Sequence, residues 1–91
     1  RGVKMAADKA ALLRRLRRVE GQIRGITKMV EREQSCTDIL TQVAAAKAAL
    51  HQAGVLILEH HAQTCLAEAL ATGDPQKAAE EVAAVLKKFL V

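Results

Sequence analysis

From Cys36 to Ala71 the chain carries one glycine, no proline and no strand-like alternation, so the stretch reads as one uninterrupted helix. A helix of that length is unusual for a small globular domain, where three to four turns are ordinary. In a chain of 91 residues it leaves only other helices to lie beside it. The apolar seam of this helix runs through Cys36, Leu40, Val43, Leu50 and Ile57. Lys47, Gly54 and His61 fall in the same register, and Cys65 stands one turn beyond. Ala44, Ala45, Ala46, Ala48 and Ala49 keep the flanking surfaces narrow enough for close packing on several sides.

The remainder supports an all-α chain forming a single domain over residues 1–91, with helices at about 7–32, 36–71 and 75–90. In the first helix Leu12, Leu16, Val19, Ile23, Ile26 and Val30 recur at alternating spacings of four and three, a coiled-coil-like seam widened by Leu13 and Met29. Asp8 or an earlier residue is placed to start it. Gly21 and Gly25, one turn apart, are candidates for a close helix approach. Ser35 is placed to cap the second helix, with Asp38 three residues on. Gly73 stops that helix, and Asp74-Pro75 restarts a third, expected to bury Ala78, Val82, Val85, Leu86 and Phe89. The short connections make the first two helices an antiparallel hairpin. A core this small is marginal alone, so oligomerisation is expected.

Charge is distributed unevenly. Residues 1–32 hold ten Lys or Arg against three Asp or Glu, and residues 33–91 hold four against seven. A basic end of this kind favours a polyanionic partner. No apolar run approaches the ~20 residues of a membrane span, and no export signal is legible. The expected compartment is therefore the reducing cytoplasm, where retained thiols are metal ligands, redox sensors or core. No acid–base pair in a cleft and no cofactor motif points to an enzyme.

The chemistry lies in two thiols and an imidazole. His61 and Cys65 are four residues apart, on one helix face. Cys36 lies 29 residues before Cys65 on the same helix, which separates the two by about 43 Å at 1.5 Å per residue. One protomer cannot close that gap. Two copies of the helix packed antiparallel about a two-fold axis can: Cys36 then faces the partner's Cys65, Leu40 faces the partner's His61, and symmetry makes two equal sites. Two thiolates and one imidazole form a soft set that selects Cu(I), with Zn(II) as competitor; zinc would require a fourth donor. Adjacent helix positions point about 100° apart, so His60 is read as solvent-facing and His51 as a surface or interface residue.

With these residues assembled, the chain resembles the copper-sensitive operon repressor family, the CsoR/RcnR-type regulators. The resemblance covers nearly the whole chain. It rests on Leu16-Arg17-Arg18-Val19-Glu20-Gly21-Gln22-Ile23-Arg24-Gly25-Ile26, on Cys36-Thr37-Asp38-Ile39-Leu40-Thr41-Gln42-Val43-Ala44-Ala45, and on His61-Ala62-Gln63-Thr64-Cys65. It implies antiparallel helical dimers forming a four-helix bundle and pairing into tetramers without a helix-turn-helix. It also implies that the apo-protein holds operator DNA and that Cu(I), one per protomer at the dimer interface, releases it. By the same resemblance Cys36, His61 and Cys65 match the copper ligands. Lys9, Arg14, Arg15 and Arg18 match the basic surface that meets DNA, and Glu81 matches a carboxylate near the metal-bound His. The plain alternative for Glu81 is an exposed pair with Lys77.

Two positions depart from the family pattern. Ser35 stands where copper sensors carry Tyr, so its hydroxyl has a shorter reach toward the metal's surroundings. Gln52 stands where a basic residue often assists DNA binding. The nickel/cobalt branch adds an N-terminal His that is absent before His51; the formaldehyde branch lacks the second Cys; the sulfide branch replaces the His. The resulting expectation is a Cu(I)-sensing repressor. A persulfide-sensing repressor using Cys36 and Cys65 is the first alternative, and a copper-buffering helical bundle the second.

Overall fold

The computed structural model describes residues 6–90, with side chains from Lys9 onward. Three helices follow in order: α1 (Ala6–Glu31), α2 (Cys36–Thr72) and α3 (Pro75–Leu90); there is no strand among the described residues. The Asp8 side chain, expected to start α1, lies outside the described residues.

Each helix end has a local cause. Ser35 Oγ accepts the Asp38 N–H at 3.2 Å, which caps α2. Asp74 Oδ1 accepts the Lys77 N–H at 3.2 Å and caps α3. Gly73 adopts φ +75° and its N–H donates to the Ala69 carbonyl at 2.8 Å, the left-handed stop that glycine takes without steric cost. The end of α1 is the unexpected one. The Gln34 N–H donates to the Met29 carbonyl and the Glu33 N–H to the Val30 carbonyl, both at 3.0 Å. That pairing is a Schellman closure, and it holds Glu33 at φ 54°, where glycine normally sits.

The chain divides into two compact units. In the first, α1 and the opening half of α2 form the hairpin, with Leu12 and Ala53 buried together and Leu16 packed against them. Val19 is also buried, whereas Ile23 and Val30 of the same seam are 52 % and 57 % exposed. On this half of α2 the buried positions are Ala46 and Ala53, and Leu40, Val43 and Leu50 of the expected seam are exposed. The hairpin thus closes on alanines and leaves large aliphatics outward. Gly21 and Gly25 provide no close approach: a Cβ at Gly25 would meet nothing within 4 Å, and one at Gly21 only the Arg24 guanidinium at 3.6 Å.

The second unit joins the rest of α2 to α3. Cys65 and Ala69 are its buried residues, and Ala78, Val82, Val85, Leu86 and Phe89 of α3 are half-buried, the face expected to turn inward.

The left-handed Glu33 yields a stability prediction. An L side chain in this region costs about 1–2 kcal/mol, partly offset by the unfolded-state entropy that glycine adds. Glu33→Gly should therefore raise the unfolding free energy by about 0.5–1 kcal/mol in urea melts of the reduced protein. A fall would show that the Glu33 side chain itself supports the turn.

Candidate metal centre

The centre of the second unit is one helical turn of α2. Because His61 and Cys65 are four residues apart, both side chains lie along one face, and Cys65 Sγ is 3.6 Å from His61 Nε2. Cys65 is only 1 % exposed and His61 is half-buried. The Thr64 hydroxyl bonds back to the His60 carbonyl at 2.9 Å, within the same turn.

From α3, Glu81 completes the group. The Cys65 thiol donates to Glu81 Oε2 at 3.4 Å. The carboxylate is half-buried and engages the sulfur, rather than standing as a fully exposed helix-surface group. A small pocket of about 70 Å³ beside it is lined by Cys65, Glu68, Thr72, Asp74, Lys77 and Glu81, among others. His60 is half-buried, not turned fully to solvent.

The other candidates sit elsewhere. Cys36 is the first residue of α2 and is exposed; neither cysteine is in a disulfide. Ser35 is exposed and its hydroxyl is engaged as the cap of α2. Among the described residues no group of three or more His, Cys, Asp or Glu is arranged to hold a metal ion. The chain therefore presents a buried thiol–imidazole pair with a carboxylate behind it, and a second thiol at the far end of the same helix. The donors fit a soft metal: sulfur and imidazole nitrogen, with no oxygen cage of the kind Mg²⁺ or Ca²⁺ requires.

On α1, Arg14, Arg15 and Arg18 are exposed and, with Ala11, line one concavity of about 320 Å³. Lys9 is exposed but does not line it. Five residues before Arg14, it projects about 140° around the helix from that arginine. The resemblance groups the four on one basic surface; by the helical period Lys9 faces a different direction from the three arginines.

Comparison with known proteins now decides the family. A family model described as metal-sensitive transcriptional repressor matches residues 8–88. This chain belongs to that family. The copper-sensing transcriptional repressor CsoR of Bacillus subtilis is 43 % identical over 86 residues, covering 94 % of this chain and 85 % of the relative. The copper-sensing repressor RicR of Mycobacterium tuberculosis is 43 % identical over 77 residues, covering 81 % and 80 %. Among solved structures, the copper-sensing repressor CsoR with Cu(I) from Geobacillus thermodenitrificans superposes with a TM-score of 0.86 at 38 % identity, over 100 % of this chain and 95 % of that one. The nickel-responsive regulator InrS superposes at 0.82, also with 38 % identity, over 88 % and 90 %. The three-helix architecture is thus that of the metal-sensitive repressors, whose transcriptional role is exerted on DNA. No helix among the described residues is long and apolar enough to cross a membrane.

Burial makes the two thiols chemically unequal. Cys65 should alkylate at least about tenfold more slowly than Cys36 in the folded, reduced protein, and at a matching rate in denaturant. Mass-spectrometric counting of modified peptides over time measures this; equal rates in the folded state would mean that Cys65 is not shielded.

Proposed function

We propose that this chain is a Cu(I)-responsive repressor whose metal centre is shared between two protomers. The observation that carries the reading is the pairing of a buried Cys65 thiol with His61 at 3.6 Å on a helix whose other thiol, Cys36, is its first residue. An antiparallel two-fold partner brings Cys36 to the partner's His61 and Cys65 and yields one site per protomer. The outward aliphatics supply the contact surface: Leu40, Val43, Leu50 and Ile57 on α2, with Ile23 and Val30 on α1. Gln22 Oε1, buried with no hydrogen-bond partner among the described residues, is a group that assembly can satisfy. Pairing of dimers into a tetramer multiplies the basic surface.

The soft donor set favours Cu(I) over Ni(II) and leaves Zn(II) as competitor. Cys36 of one chain with His61 and Cys65 of the other would hold the ion, which would supply soft-metal coordination there. Metal ligation needs thiolate, so Cys65 would release to solvent the proton it now donates to Glu81. Glu81 then loses that donor, and α3, which carries it, is the element free to respond. Ser35, occupied as a cap, takes part only as far as its short side chain reaches. Two states that differ in DNA affinity by a few kcal/mol suffice for release.

DNA binding is assigned to Arg14, Arg15 and Arg18, with Lys9 contributing charge from another face. With no helix-turn-helix, recognition rests on phosphate contact and DNA shape. The persulfide alternative keeps the same DNA function and uses Cys36 and Cys65 without His61.

An anaerobic Cu(I) titration of the reduced protein against a chromophoric competitor tests the metal reading. One tight Cu(I) per protomer is expected, weakened strongly by Cys36→Ala, His61→Ala and Cys65→Ala. Tight binding that ignores His61→Ala would move the assignment to thiol chemistry. For the DNA face, each of Arg14→Ala, Arg15→Ala and Arg18→Ala should weaken operator binding and lower the slope of log K against log salt by about 0.9 per lost phosphate contact. Fluorescence anisotropy across a salt series reads both, and unchanged slopes would remove the arginines from the DNA contact.

A further inference from the structure

We propose that Gly54 and Phe89 form a size-matched pair that fixes where α3 lies on the second half of α2 and thereby holds the Glu81 carboxylate at the Cys65 thiol. Phe89 is the chain's one aromatic residue. Its ring occupies the space that a side chain at position 54 would need: a Cβ there would collide with Phe89 Cε2, and would lie 2.8 Å from Cζ and 3.5 Å from Cδ2. Glycine inside a helix is unfavourable relative to alanine, and the neighbouring stretch of α2 is otherwise rich in alanine. The exception at position 54 is the place where a ring enters. The other α1 and α2 glycines would admit a Cβ without crowding closer than 3.6 Å.

The two contacts run in opposite chain directions, Phe89 with Gly54 and Glu81 with Cys65, so α3 packs antiparallel to this part of α2. Along α3 they are eight residues apart, or about 12 Å, within one rigid helix. A helix held at Phe89 cannot slide without carrying Glu81 away from the sulfur. Gly54 and Phe89 are thus positioning residues acting through α3. The link to metal sensing rests on the reading above; the positioning of Glu81 does not.

The test uses the full-length, reduced apo-protein carrying Cys36→Ala, so that Cys65 alone reports by its alkylation rate. Gly54→Ala should lower the melting temperature, although alanine is the better helix former, and should speed Cys65 alkylation severalfold. Phe89→Leu, by shortening the intruding side chain, should restore slow alkylation when combined with Gly54→Ala, so the two changes are non-additive. Should Gly54→Ala alone fail to fold, Phe89→Ala at the native glycine is expected to speed alkylation while helical circular dichroism is retained. Gly54→Ala that raises the melting temperature and leaves Cys65 protected would overturn the pair, as would a double variant showing simple additivity. Because no metal is present, the expected alkylation pattern, together with absent Cu(I) binding by the protein that keeps both cysteines, would support the pair and overturn only the metal reading.

Discussion

The governing constraint is the stiffness of α2. A continuous helix fixes the distance between its residues, and here it carries one thiol at its first position and a thiol–imidazole pair seven turns on. α2 is one helix from Cys36 to Thr72, and for that reason the proposed centre that uses all three donors is one built between chains. The same stiffness makes such a centre informative to the protein. Donors fixed in a rod report a partner's arrangement in a way that donors on a flexible loop would not.

The packing accords with the proposed assembly. Leu12 and Val19 of α1 are buried, but the buried residues of α2 are small, Ala46, Ala53, Cys65 and Ala69, while Leu40, Val43 and Leu50 remain outward. Alanine burial yields little hydrophobic free energy per residue, since that scales with apolar area, so the hairpin is left dependent on what covers its larger side chains. In the second unit α3 contributes no fully buried residue. It is held by half-buried contacts, by the Glu81–Cys65 hydrogen bond and by the ring of Phe89 over Gly54. A lightly held helix touching the Cys65 sulfur is suited to respond to a change at that sulfur.

Much of this was legible in the sequence. Helix identity followed from periodicity, and the caps at Ser35 and Asp74 and the stop at Gly73 followed from residues whose side chains or backbone freedom have one common use. The four-residue spacing of His61 and Cys65 by itself puts both groups on one helix face. Glu33 was not legible, because a left-handed turn without glycine leaves no compositional mark; only the hydrogen bonds to Met29 and Val30 reveal it. The core was legible only in part. Periodicity shows that a helix has an apolar stripe but not whether its own chain or a partner will cover it, which is why Leu40 and Leu50 were indistinguishable from core. Gly54 was passed over as a seam position while Gly21 and Gly25 drew attention, since the ring that explains it comes from 35 residues away. Glu81 was expected near the imidazole; its contact with the thiol depends on how α3 settles, which spacing does not encode.

The central claim, that the metal centre is built across two chains, is tested most directly by mixing. The Cys36→Ala and Cys65→Ala variants should each bind Cu(I) poorly alone. Unfolded together and refolded under reducing conditions, they should form mixed dimers in which one centre has all three donors and the other lacks both thiols. Recovery of tight Cu(I) binding in the mixture, at one ion per mixed dimer, is the predicted result. A mixture no better than its separate components, with mixed dimers shown to be present by native mass spectrometry, would contradict the cross-chain centre.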